Sequence, residues 1–96
     1  MLGNKPQHQL LPATACNDLN DTYLHYQGYD MRYHDENSMY ADVSTCQSHC
    51  TDDPQCLIVV YVLDNSRCFL KKVTPQDFPK DWKEDPGVDT YQRTCN

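Results

Sequence analysis

The sequence predicts a small α+β domain, rich in strands, with one short helix and three disulfides. Three observations predict it. Six cysteines stand in 96 residues: Cys16, Cys46, Cys50, Cys56, Cys68 and Cys95. A capped helical segment runs up to Pro54. Two segments with strand character, residues 56–63 and 67–73, flank a polar turn.

Ninety-six residues make one domain with a thin core, because small domains bury a lower fraction of their surface than large ones. The mean hydropathy of -0.81 leaves burial in need of help. An even number of cysteines in a short polar chain supplies it as a disulfide framework. Such frameworks persist in oxidising compartments, so the expected location is secreted or extracellular. Residues 1–15 show no apolar run of signal-peptide type, and no segment approaches the ~20 apolar residues of a membrane span. The simplest reconciliation is a piece of a larger secreted protein, with Met1 an added start. Residues 1–15 then read as a flexible linker and 16–96 as the folded module.

The net charge of -6 opposes nucleic acid and membrane partners. The charge is unevenly spread. Residues 1–66 hold nine acids against Lys5 and Arg32, while residues 67–96 hold five acids against six bases. A local basic spot in the second half is therefore the first candidate for ligand contact.

Residues 22–26 (TYLHY) favour a strand that stops at Gly28, a turn or bulge position. Residues 30–40 (DMRYHDENSMY) are polar and irregular and read as a loop. A helix is expected to start near Ser44, where Ser44 and Gln47 match a capping box. Asp52-Asp53-Pro54 ends it, since proline cannot continue the hydrogen-bond ladder. Residues 56–63 (CLIVVYVL) are β-branched and apolar on both faces, which places that strand mid-sheet with cover on each side. Asp64-Asn65-Ser66 is a turn, and residues 67–73 return as the second strand of a hairpin. Residues 74–88, with three prolines, read as loop, and 89–94 as a last strand leading to Cys95.

Cys46 and Cys50 are four apart on the helix and face the same way. Their Cβ atoms lie ~5–6 Å apart, whereas a disulfide wants ~3.8 Å. Both must reach outward. Cys56, just past the helix exit, can fold back onto Cys50, and Cys68 in the return strand can face Cys46. That leaves Cys16 with Cys95, closing the longest loop.

Several motifs now form an ordered set. Cys46-x3-Cys50-Thr51, Pro54-x-Cys56, an apolar strand and Cys68-Phe69-Leu70-Lys71 resemble the core of the apple, or PAN, module. Tyr26-Gln27-Gly28-Tyr29-Asp30 resembles the aromatic-x-Gly-x-Asp element that family places before its helix, and Gly87 and Cys95 fall in its closing segment. The resemblance runs from Cys16 to Cys95. It implies an antiparallel sheet of about five strands with one helix packed across it. It also implies the nested pairing Cys16–Cys95, Cys46–Cys68 and Cys50–Cys56. Apple modules occur in coagulation zymogens, near the start of hepatocyte growth factor and plasminogen, and in adhesins secreted by apicomplexan parasites. There they bind proteins or carbohydrates and are not catalytic by themselves. The heparin-binding relatives are basic and this chain is acidic, which speaks against heparin. An acidic module with a linker looks more like one unit of a tandem array, as in the parasite adhesins released from micronemes.

Other chemistry fits less well. Cys46, His49, Cys50 and Cys56 lie close enough for zinc, but the usual pattern is two close pairs separated by a longer loop, and Cys16 and Cys95 would be left over. No G-x-S-x-G elbow exists, and disulfide-bonded cysteines are not thiolates. His8, His25, His34 and His49 read as surface or half-buried residues. The expectation is therefore a non-enzyme without cofactor, acting as an adhesion module. Its partner would be a cell-surface or secreted protein, or a glycan, with neighbouring modules of the same chain beside it. The rival class is a small inhibitor of a secreted protease, displaying its loop 51–55. Candidate contacts are Lys71 and Lys72, then Arg32, Tyr33 and His34. Asn20-Asp21-Thr22 is a glycosylation sequon, in keeping with secretion.

Overall fold

The computed structural model describes residues 22–94, apart from the side chains of Asp35 and Glu36. Five strands make one antiparallel sheet: β1 (Tyr23–Met31), β2 (Asp35–Tyr40), β3 (Ile58–Val62), β4 (Arg67–Lys71) and β5 (Trp82–Arg93). Their order across the sheet is β1-β5-β3-β4-β2. One α-helix, α1 (Val43–Asp52), lies between β2 and β3 among the described residues, and a 3-10 turn (Pro79–Asp81) precedes β5.

The doubly apolar segment is the middle strand, as its composition predicts. β3 pairs with β4 on one side and β5 on the other. One face of it, Val59 and Tyr61, packs under α1 with Cys46, Cys50, Cys56, Cys68 and Leu70. The opposite face, Ile58 and Val60, packs with Met31, Leu57 and Val88. Each of the four β3 residues from Ile58 to Tyr61 is buried, which a polar residue at any of them would not survive without a partner.

Two of the three expected disulfides are formed, Cys46–Cys68 and Cys50–Cys56. The first staples α1 to β4, and the second ties the helix to the chain just beyond it. The expected Cys16–Cys95 bridge, the linker at residues 1–15 and the sequon at Asn20 lie outside the described residues.

Four expectations are corrected. The helix cap is Asp42, not Ser44: Thr45 N donates to Asp42 Oδ1 at 2.8 Å, and Ser44 Oγ donates to the same carboxylate at 3.1 Å. An acidic N-cap satisfies an orphan amide and also meets the positive end of the helix, so it outcompetes the serine two positions on. Residues 30–40 are not a loop. β1 continues past Gly28 to Met31, and β2 occupies 35–40 against β4. β2 is an edge strand in which Asn37, Ser38 and Tyr40 are exposed, so the apolar alternation of a half-buried strand is missing. The strand at 89–94 likewise starts much earlier, at Trp82. Residues 82–84 pair with 29–31 alone, and Gly28 on β1 stands opposite the four residues 85–88 on β5. Pro86 fits there because a bulge leaves a backbone position outside the ladder. Gly28 has φ 76°, the left-handed conformation that glycine adopts without strain.

The Asp42 cap carries a pH signature. Hydrogen bonds from Thr45 and Ser44 hold its carboxyl below the ordinary aspartate value of 3.8. A depressed folded-state pKa means that the cap stabilises above the unfolded value and is lost as pH falls through the folded one. Asp42→Asn is expected to keep the helix while removing this part of the acid sensitivity. Asp42→Ala should lower stability at neutral pH. Urea unfolding at pH 7 and at pH 3 checks both.

Candidate functional site

The site is set by a topological demand. β1 and β2 occupy opposite edges of the sheet, yet only Arg32, Tyr33 and His34 separate them. The chain therefore crosses the sheet face opposite α1 in very few residues. Met31, fully buried, anchors the crossing on Leu57, Ile58, Val60 and Val88.

Tyr33 and His34 both take left-handed backbone, with φ 65° and 62°. Each such non-glycine residue costs ~1–2 kcal/mol, so the surroundings must hold it. Four hydrogen bonds and one ring stack do so. Lys71 Nζ donates to Met31 O at 2.5 Å and to Tyr33 O at 2.6 Å from beneath. Arg32 N donates to Asp81 O at 2.9 Å. His34 Nε2 is hydrogen-bonded to Asp81 Oδ2 at 2.7 Å. The His34 ring also stacks on Phe78, with centroids 4.1 Å apart. The backbone is fixed while the Tyr33 side chain projects outward, 67% exposed.

Beside the crossing lies a groove of about 240 Å³. Its floor is apolar: Val60, Val62, Phe69 and Val88. Asp30, Arg32 and Tyr33 form one wall, and Lys71 lies below. Arg32 Nε sits 3.7 Å from Asp30 Oδ2. On the far side Arg67 lies over the Phe69 ring at 4.8 Å and the Tyr40 ring at 5.5 Å. Arg67 Nη2 donates to Ser38 Oγ at 3.1 Å, while its Nε is buried without a hydrogen-bond partner.

A second polar cluster is structural. Asp89, 7% exposed, accepts from Gly28 N at 3.0 Å and is hydrogen-bonded to His25 Nε2 at 2.9 Å. This pins the Gly28 bulge. Tyr91 stacks on His25 at 4.5 Å, and burial, with Asp89 and Tyr61 nearby, pushes its phenol above the ordinary value of 10. Among the described residues no set of three His, Cys, Asp or Glu side chains is placed to hold a metal, and no cysteine is free. Among them, too, no helix is long and apolar enough to cross a membrane.

A family model described as PAN domain matches residues 16–95. The chain belongs to the PAN domain family. PAN domains are extracellular or secreted interaction modules that bind proteins or carbohydrates, and they are generally not catalytic. No curated protein matches this PAN domain.

Within this PAN domain the five residues singled out from sequence do not form one patch. Lys71 is 3% exposed, with its ammonium turned onto the carbonyls of Met31 and Tyr33. Lys72 is on the helix side, around a cleft of about 90 Å³ with His49 and Asp53. Arg32 and Tyr33 meet at the groove, and His34 is half-buried against Asp81 and Phe78. The floor residues Val60, Val62 and Phe69, and the Arg67 beside them, were not singled out. For Val60 and Val62 the signal was present in β3, whose second apolar face exceeds what one helix can cover.

Proposed function

We propose that this PAN domain is an adhesion module that meets its partner on the sheet face opposite α1, with Tyr33 as the anchor. It would act as one unit of a larger secreted multi-module protein, which serves attachment to a cell surface as in the parasite adhesins it resembles. The observation that carries the reading is the presentation of Tyr33. Its backbone is strained and clamped from below by Lys71, yet its ring is two-thirds exposed. Strain held in place around an exposed aromatic is a feature of binding sites, where tyrosine serves as a large, rigid contact.

The inhibitor reading is less favoured. The segment between Cys50 and Cys56 turns the carbonyls of Thr51 and Asp53 inward, onto Arg93. A protease inhibitor instead displays its loop outward for the protease to grasp.

The test is binding of the labelled, disulfide-intact domain to cells and to a glycan array, comparing wild type with single variants. Tyr33→Ala is expected to weaken the interaction at least ~10-fold, the scale of a hot-spot tyrosine. Lys72→Ala, on the other side of the domain, should change it less than ~2-fold, as non-central residues do. Equal binding by wild type and Tyr33→Ala would place the site elsewhere.

A further inference from the structure

We infer that the groove beside Tyr33 takes an extended protein segment, seating an aliphatic or aromatic side chain on Val60, Val62 and Phe69 and a carboxylate beside Arg67 and Arg32. This rests on the docking face proposed above and names the chemistry of its partner. Three features of the groove lead there. Its floor is made of valine and phenylalanine side chains, which offer no hydrogen bonds. Sugar hydroxyls pressed onto them would lose water without replacement, at a cost for each unpaired group. Lys71, which lines the groove, is already engaged, its Nζ donating to two carbonyls. The volume of about 240 Å³ is smaller than a usual small-molecule site, ~300–1,000 Å³, and suits one or two side chains.

Charge gives the second half of the argument. The chain carries a net -6, yet Arg32, Arg67 and Lys71 surround this groove against Asp30 alone among its wall and floor residues. Arg67 lies over the Phe69 ring at 4.8 Å, with Nη2 on Ser38 Oγ and its buried Nε without a hydrogen-bond partner. A carboxylate is the acceptor that a planar guanidinium binds best, through two parallel hydrogen bonds. The partner segment therefore carries an Asp or Glu close to its apolar anchor.

The probe is a random peptide library displayed on phage and panned against the intact domain. Selected peptides are expected to share an apolar residue within a few positions of an acid. A synthetic peptide of that consensus should bind at least tenfold more weakly to Val62→Arg and to Arg67→Glu. Exchanging its acid for lysine should restore binding to Arg67→Glu. Retained dispersion of amide resonances verifies that each variant is folded; Val62→Ala and Arg67→Gln serve where it is lost. Peptides without acids, or peptides indifferent to both variants, would overturn the inference. A glycan bound through Tyr33, with no peptide selected, would overturn the inference while leaving the docking face standing. Ligands of either kind that bind Tyr33→Ala as well as wild type would remove the docking face itself. Self-association abolished by Val62→Arg would assign the groove to a second copy and so overturn the partner inferred.

Discussion

Replacing Arg93 with alanine is expected to destabilise the domain by about 3–5 kcal/mol, a large share of the ~5–15 kcal/mol by which such domains are stable. Arg93 is 3% exposed, and its guanidinium reaches four backbone carbonyls. Nη1 donates to Cys50 O at 3.1 Å, Asp53 O at 2.8 Å and Cys56 O at 3.1 Å, and Nη2 to Thr51 O at 3.0 Å. These carbonyls belong to the last turn of α1, where the helix ladder ends, and to the turn that follows, and two of them, Cys50 O and Asp53 O, also accept the amides of Asp53 and Cys56. One cation thus closes α1, fixes its exit and docks both onto the last strand. Without it Thr51 O and Cys56 O lose this donor, while Cys50 O and Asp53 O keep the amides of Asp53 and Cys56. Arg93→Lys should recover only part of the loss, since an ammonium cannot span carbonyls on both sides of the turn as the flat guanidinium does. Urea unfolding of the three proteins measures this. A loss under 1 kcal/mol for Arg93→Ala would mean that the turn closes without its cation.

Nothing in the sequence around Arg93 announced this role, because its partners are backbone atoms about 40 positions away. Lys71 is a parallel case: a lysine beside Lys72 in a basic stretch reads as surface charge, and only the crossing of the chain above it turns it inward. What the sequence did carry was local and periodic. The doubly apolar β3 declared itself as a central strand, the 64–66 turn as a hairpin, and Cys46 and Cys50 as two cysteines that must bond elsewhere. Edge and ribbon strands were missed for one shared reason. β2 and the first half of β5 each have a single neighbouring strand and bury little, so neither needs the apolar alternation that marks a strand. Half of the candidate site was legible as the odd trio Arg32-Tyr33-His34 in a polar stretch. The groove floor was hidden inside residues that already had a sufficient explanation as core.

Removing the Cys46–Cys68 bridge should cost more than removing Cys50–Cys56. In the chain-entropy description a disulfide stabilises by restricting the unfolded chain, more for longer loops. Separations of 22 and 6 residues close loops of 23 and 7 counting both ends, which give about 3.4 and about 2.4 kcal/mol. The proposed Cys16–Cys95 bridge, with the longest loop, would reach about 4.5 kcal/mol on the same description. Packing widens the gap between the two bridges. Cys46 and Cys68 are fully buried between α1 and β4, so alanines there open a cavity within the helix–sheet interface, adding about 1 kcal/mol or more. Cys50–Cys56 has a partial substitute. Arg93 grips the carbonyls of both residues, so the turn stays tethered when its sulfurs are gone. It follows that the two devices are coupled. Cys50→Ala with Cys56→Ala should cost more when Arg93 is alanine than when Arg93 is present, by about 0.5–3 kcal/mol, the range for groups sharing one network. Urea unfolding of the paired-alanine variants, and of the Cys50/Cys56 pair combined with Arg93→Ala, measures both claims. Equal losses for the two bridges would show that the helix–sheet staple adds nothing beyond chain entropy. Strict additivity with Arg93→Ala would show that sulfur and guanidinium hold the turn independently.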